Sequence, residues 1–336
     1  MFRQIVVPLD GSERAEQVLP VAARLARATQ SGITLLQVVD LTYTAISYGM
    51  GAPYISQRLI EDEISRARNY LEQWRHDRTL EGIMVQTQAV AGDPATVITT
   101  RAAELPIGLV VISSHGYTGM KRWLLGSVAE KVAQHALVPV LILHDNVPLH
   151  FHQTTEGRDF VRALVPLDTS PRSQDALAPA AEMVAALSAG GRGELRLAQM
   201  VVSPDRAGSR ETEELLASAR QNLATIGQTM RDGLVARFWP ELYPALSWTV
   251  ALTDDIAEGI VRLAESGEGD QRTEKGPECD LIVLTTHGAG GMRHWPVGSV
   301  AARVLHATSL PTLIVRPEDM IVKEHLRHPH QTPATV

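Results

Sequence analysis

The sequence predicts two α/β domains in tandem, each built on a doubly wound, mostly parallel sheet. Three observations carry that expectation. A glycine-bearing segment occurs twice, as SSHGYTGMKRWLLGSV at residues 113–128 and as TTHGAGGMRHWPVGSV at residues 285–300. The apolar runs around it recur in the same order, which marks an internal duplication. Short apolar runs alternate with longer stretches of helical period, the pattern of strands covered by helices on both faces.

In the first copy, strands are expected near residues 3–9, 33–39, 83–90, 108–113 and 138–143, with helices between them. The helix near residues 57–77 sets Ile60, Ile64, Ala67, Leu71 and Trp74 on one face. Its counterpart near residues 212–236 does so with Leu216, Ala219, Leu223, Ile226 and Met230. The first strand and its turn, IVVPLDGS at 5–12, return as ALVPLDTS at 163–170. Likewise LLQVV at 35–39 returns as LAQMV at 197–201, and VPVLI at 138–142 as LPTLI at 310–314. Domain one is expected over residues 1–146 and domain two over 160–318, with a polar, aperiodic linker at 147–159 and a tail at 319–336. Two segments break the symmetry. LTYTAISYGMGAPYIS at 41–56 is either a cover over a ligand or an ordinary surface loop, and SGEGDQRTEKGPEC at 266–279 reads as a surface insertion.

Composition bounds the function. A chain of 336 residues can hold two cores, and 44% apolar with 21% charged residues is the balance of a soluble globular protein. The net charge of -7 argues against a nucleic-acid surface. No segment approaches a membrane span, and MFRQIVVPLD runs directly into a strand pattern without a signal peptide. The lone cysteine, Cys279, excludes a disulfide framework within one chain and suits a reducing cytoplasm.

The candidate chemistry lies where strands end. Asp10 and Asp168 follow the first strand of each copy, where a carboxylate either accepts hydrogen bonds from a ligand's hydroxyl or amino groups or simply forms the turn. Ser12 and Ser170 read as helix N-caps, with Pro171 in the first helical position. Nine residues separate Gly116 from Gly126-Ser127, and nine separate Gly288 from Gly298-Ser299. A strand, a glycine loop and a helix start form an anion cradle of backbone amides. The P-loop lysine pattern is absent, and no G-x-G-x-x-G follows the first strand. Lys121, Arg122, Arg293 and His294 are placed either to reach phosphates or to be solvated. No obvious activated nucleophile accompanies His115 or His287, which favours a structural or backbone-positioning role over a catalytic one. His144, His150 and His152 have no metal-site spacing.

Together these residues resemble the universal stress protein family in its tandem form. The family pattern is G-x2-G-x9-G-[ST] after a strand of the type V-x-[GS]-[ST]-H-G, paired with an aspartate after the first strand. The resemblance implies a Rossmann-like, adenine nucleotide alpha hydrolase-like fold. Its five-stranded parallel sheet has the order 3-2-1-4-5 and places a ligand at the crevice between strands one and four. In ATP-binding members the aspartate contacts the nucleoside, the backbone after strand two contacts adenine, and the glycine loop with the Gly-Ser helix start holds the phosphates. By resemblance these roles pass to Asp10, Val39, Gly116, Gly126, Ser127 and Val128, and to Asp168, Gly288, Gly298 and Ser299. Ser113 and Thr285 replace the first motif glycine, where a side chain either crowds the ribose or adds a hydroxyl contact.

The resemblance thus implies ATP with Mg²⁺ as the ligand of a cytoplasmic stress or regulatory protein, with no catalytic residues. The alternatives are an ATP-hydrolysing or nucleotidyl-transferring enzyme of related fold, though no H-x-G-H follows strand one, and a scaffold with vestigial sites. The halves are expected to pair through their fifth strands as a pseudo-dimer, leaving room for a homodimer, with neither nucleic acid nor membrane as partner. The first site is expected to bind more tightly. Copy one has Gly11 and Gly92-Asp93-Pro94 where copy two has Thr169 and Thr253-Asp254-Asp255, which adds a carboxylate near the rim, and its longer loop at 41–56 adds a cover.

Overall fold

The computed structural model describes residues 2–41, 44, 56–104, 108–115, 125–144, 152–153, 159–188, 193–202, 209–237, 244–268, 276–288 and 298–321. The chain divides into two compact units between Asp145 and Asn146.

The first unit runs β1 (Gln4–Pro8), α1 (Glu13–Glu16), α2 (Leu19–Thr29), β2 (Gly32–Val39), α3 (Gln57–Arg75), β3 (Val85–Ala91), α4 (Pro94–Ala103), β4 (Gly108–Ser113), α5 (Ser127–His135) and β5 (Val140–Leu143). Its strands are parallel in the order β5-β4-β1-β2-β3. The chain moves outward from β1 through β2 to β3, then crosses back to β4 on the far side of β1. That reversal opens a crevice between the C-terminal ends of β1 and β4. All six residues of β4, GLVVIS, are buried, as befits a strand covered on both faces. Helix α3 starts where the Ser56 hydroxyl accepts from the Leu59 amide. Of its expected apolar stripe, Ala67 and Leu71 are buried, whereas Ile60, Ile64 and Trp74 are half-buried.

A short antiparallel pair, β6 (His152–Gln153) with β7 (Asp159–Phe160), falls largely within the stretch expected to be an aperiodic linker and belongs to the second unit.

The second unit repeats the plan with β8 (Arg162–Pro166), α6 (Pro171–Gln174), α7 (Leu177–Leu187), β9 (Glu194–Val202), α8 (Arg210–Arg237), β10 (Ala245–Thr253), α9 (Ile256–Ser266), β11 (Leu281–Thr285), α10 (Ser299–Ala307) and β12 (Thr312–Val315). Its parallel order is β10-β9-β8-β11-β12. The stripe on α8 is buried throughout, at Leu216, Ala219, Leu223, Ile226 and Met230. Residues 318–321 form a helical turn, and Arg172 clasps Asp319 through two bonds of 3.1 and 2.8 Å. The start of the expected tail is therefore tied to the second unit.

The N-terminal ends of the two sheets differ. In the first unit the Gln4 amide donates to Thr34 Oγ1 at 2.8 Å. In the second, Arg162 Nε meets Glu194 Oε2 at 2.6 Å, and the Arg162 amide donates to Asp280 Oδ2 at 2.7 Å. Buried Arg196 donates to the Pro277 carbonyl at 2.9 Å and to Thr249 Oγ1 at 3.1 Å. Cys279 lies buried beside this network, and burial pushes its thiol up to about 12. Among the described residues no helix is long and apolar enough to cross a membrane.

Candidate functional site

Each crevice is built from two turns and a helix start. The first turn follows the leading strand. Asp10 Oδ1 accepts from the Ser12 amide at 3.0 Å and from the Ser12 hydroxyl at 2.6 Å. Asp168 Oδ1 accepts from the Ser170 amide at 2.8 Å and from its hydroxyl at 2.5 Å. These are Asx turns, the local bonding that a short carboxylate offers a chain leaving a strand. One oxygen of each aspartate is thus committed to the turn. Ser12 goes on to cap α1, accepting from the Ala15 amide at 3.2 Å. Ser170 occupies the N-cap of α6, with Pro171 in its first turn, but makes no side-chain cap bond. The turns differ at the next residue. Gly11 is left-handed at φ +84°, whereas Thr169 is not, since Gln30 alone among the described non-glycine residues has positive φ.

The second turn follows strand four. Ser113 donates its hydroxyl to the His115 carbonyl and accepts from the His115 amide at 3.2 Å. Thr285 Oγ1 donates to the His287 carbonyl at 3.0 Å. The side chain that replaces the first motif glycine is therefore folded back onto its own loop in both copies. His115 and His287 are buried, with Nδ1 at 3.0 Å from Ser114 Oγ and 3.2 Å from Thr286 Oγ1 respectively. A Cβ on Gly288 would collide with Asp168 Oδ2. The strand-one carboxylate and the glycine loop, 120 residues apart in sequence, thus close on one point. Gly116 lies outside the described residues, as do Lys121, Arg122, Arg293, His294, His150 and most of the loop at 41–56.

The helix starts match closely. Gly126 N donates to Ser114 O at 2.7 Å, and Gly298 N donates to Thr286 O at 2.6 Å. A Cβ at Gly126 would sit 2.9 Å from that Ser114 oxygen, and one at Gly298 would sit 3.1 Å from the Thr286 oxygen. Their φ values of -64° and -63° suit any residue, so close backbone approach is what calls for glycine. Ser56, Asp93 and Asp255 cap their helices with a side-chain oxygen, but Gly126 and Gly298 supply none. The first-turn amides, among them those of Ser127 and Val128, therefore have no capping side chain and lie at the positive end of the helix dipole. Ser127 and Ser299 are exposed there, and Val128 is half-buried. Val39 ends β2, and its carbonyl accepts from Gly92 N at 3.1 Å.

The rim overturns part of the charge argument. Asp93 caps α4, accepting from the Thr96 amide at 2.9 Å and its hydroxyl at 2.7 Å. Those bonds, with Lys131 nearby, hold its carboxyl below the usual range. Asp255 caps α9, accepting from the Glu258 amide at 2.9 Å and pairing with Arg303 at 2.7 Å. The amide bond first and Arg303 second hold it below the usual range too. Asp255 is therefore the counterpart of Asp93, and the acid peculiar to copy two is the exposed Asp254. Copy one carries its own extra acid, Glu130 in the first turn of α5, where copy two has Ala302. Asp40, directly after β2 where copy two has Val202, is a second such acid in copy one, so the added Asp254 does not by itself rank the two sites. Lys131 and Arg303 were missed in the sequence reading; their shared offset from Gly-Ser was the available signal.

The model of the universal stress protein family matches residues 1–144 and again residues 160–316. The chain belongs to this family. Universal stress protein YxiE of Bacillus subtilis is 30% identical over 147 residues, covering 43% of this chain and 99% of the relative. A universal stress protein of Mycolicibacterium smegmatis is 26% identical over 328 residues, covering 93% of this chain and 97% of the relative. The crystal structure of a universal stress protein from Archaeoglobus fulgidus aligns with a TM-score of 0.63 at 22% identity, covering 93% of this chain and 98% of that one. The tandem universal stress protein plan thus spans nearly the whole chain, and the structural likeness establishes the fold.

Proposed function

We propose that this universal stress protein binds ATP with Mg²⁺ in the crevice of each unit, as a regulatory ligand rather than a substrate turned over. The observation that carries the reading is the convergence at Gly288, where the aspartate after strand one abuts the glycine loop after strand four. A nucleoside bound at the aspartate would have its phosphates within reach of the glycine-started helix. Supporting it, Gly126 and Gly298 begin helices whose first-turn amides have no capping side chain. Among the described residues no group of three or more His, Cys, Asp or Glu side chains is arranged to hold a metal. Mg²⁺ would therefore be held chiefly through the phosphates and water, as that ion commonly is.

The regulatory reading is supported by where the reactive groups of the loop turn. The hydroxyls of Ser113 and Thr285 and the Nδ1 atoms of His115 and His287 bond within the loop itself. Cradling of phosphate by backbone amides binds a nucleotide, whereas transfer also requires a positioned base or nucleophile. A cytoplasmic setting is part of the same proposal. Calorimetric titration of the full chain with MgATP, with mass spectrometry of small molecules released on denaturation, tests the reading. Saturable binding without turnover is expected. No binding and no released nucleotide would favour a scaffold, and rapid release of phosphate would favour an enzyme.

A further inference from the structure

We infer that Gln37 reads the edge of the purine base in the first unit, making that site selective for a 6-amino purine over a 6-oxo purine. The inference rests on the proposed nucleotide binding. Gln37 lies on β2, one pleat repeat before Val39 and on the same face. It is half-buried, and its carboxamide reaches the turn after β1, where a Cβ on Gly11 would lie 3.9 Å from Gln37 Nε2. Gly11 has no Cβ, so nothing on that residue separates the carboxamide from the turn that carries Asp10.

The amide end is also uncommitted. Gln37 Oε1 is buried without a hydrogen-bond partner among the described residues. Its counterpart in the repeat, Gln199 on β9, has Oε1 accepting from Asn222 Nδ2 on α8 at 3.1 Å. The same residue at the same place is locked by the protein in one unit and free to turn in the other. A buried acceptor left unpaired is unfavourable, so a ligand that supplies a donor relieves that penalty on binding. Rotation of the Gln37 carboxamide breaks no bond that Oε1 makes. It can therefore offer an acceptor and a donor side by side. That pair matches the N7 edge of adenine, with Oε1 accepting from the 6-amino group and Nε2 donating to N7. A 6-oxo base presents two acceptors on that edge, O6 and N7, so one of them meets Oε1 whichever way the carboxamide turns. In the second unit Oε1 is already satisfied, and Thr169 puts a side chain where Gly11 has none.

The test is calorimetry on the full chain with MgATP, MgITP and the magnesium complex of purine riboside triphosphate, which lacks the 6-amino group. The phase belonging to the first unit is the one that Gly126→Val removes. In that phase wild type is expected to prefer ATP over both analogues by at least about fivefold, the low end for a bidentate base contact. Gln37→Met, which keeps length and packing, is expected to abolish that preference, while Gln199→Met leaves it intact. Equal ATP/ITP ratios in wild type and Gln37→Met, or no preference in wild type, would overturn the inference while leaving nucleotide binding in place. If wild type binds none of the three nucleotides, the proposed function falls and this inference with it. The wild-type comparison needs no variant to fold.

Discussion

The two units share a sheet order, an Asx turn after the first strand and a helix started by an uncapped glycine, but they secure the far ends of their sheets with different chemistry. At the crevice end, Asp10 and Asp168 make the same two bonds, and Ser113 and Thr285 fold onto the same carbonyl. Lys131 and Arg303 stand beside equivalent N-cap aspartates. At the opposite end, a neutral Gln4–Thr34 bond in one unit is replaced by the Arg162–Glu194 ion pair and the Arg196 network in the other. Similar geometry therefore survives where the backbone must approach itself closely. Elsewhere any arrangement that satisfies the buried polar groups serves.

The largest test of that contrast is at the far end. The Arg162 and Glu194 side chains are only 13% and 14% exposed. Removing Arg162 leaves the Glu194 charge without its cationic partner, with only the Ser247 hydroxyl still donating to it, and Arg162→Met is expected to destabilise the second unit by about 3–5 kcal/mol. Gln4→Met loses one neutral hydrogen bond and is expected to cost the first unit about 1 kcal/mol. Urea unfolding followed by unit-specific proteolysis compares them, and equal costs would mean the two ends are not built differently.

A smaller effect separates the helix starts. A Cβ at Gly126 is 2.9 Å from a backbone oxygen, against 3.1 Å at Gly298. Gly126→Ala is expected to cost about 1–3 kcal/mol as an overpacked contact, and Gly298→Ala less. Thermal melts of the two variants would reverse the assignment if Gly298→Ala proved the worse. Gly126→Val should also remove ATP binding from the first unit, and unchanged calorimetry would sink the placement of the phosphates there.

Smaller again is the difference between the aspartates. Since each copy has acids that the other lacks, the ranking is referred to Gly11 and Gln37 rather than to the added Asp254. Asp10→Ala is expected to weaken ATP binding more than Asp168→Ala, by up to roughly fivefold or about 1 kcal/mol at fixed salt. The opposite order in parallel titrations would make the second site the tighter one.

The smallest expected signal is a silence. The buried Cys279 thiol has its value raised from 9.0 to about 12, so the native thiol stays protonated at pH 8. A disulfide reagent at pH 8 should leave the folded chain unlabelled and label one thiol per chain in guanidinium, since the sequence has a single cysteine. Because the folded value is the higher one, the associated stability is intact below pH 9.0 and is lost as pH rises toward about 12. Prompt labelling of native protein would place Cys279 outside the core.

What is local was legible in the chain alone. Strand and helix periods located the elements, and the doubled glycine segment fixed the repeat. Asp10-Gly11-Ser12 and Asp168-Thr169-Ser170 carried their turn chemistry within three residues. The carriers of these features are backbone preferences and short-range hydrogen bonds, which a contiguous stretch of residues expresses on its own. Tertiary structure decided what depends on distant partners. It brought Asp168 against Gly288, set Gly126 against the Ser114 carbonyl, and made Asp255 a cap neutralised by Arg303 instead of a surplus charge. It also buried the Arg162–Glu194 pair and paired Gln199 with Asn222 while leaving Gln37 Oε1 alone. A side chain's charge or amide is written in the sequence, but whether it is satisfied depends on which strand or helix the fold lays beside it.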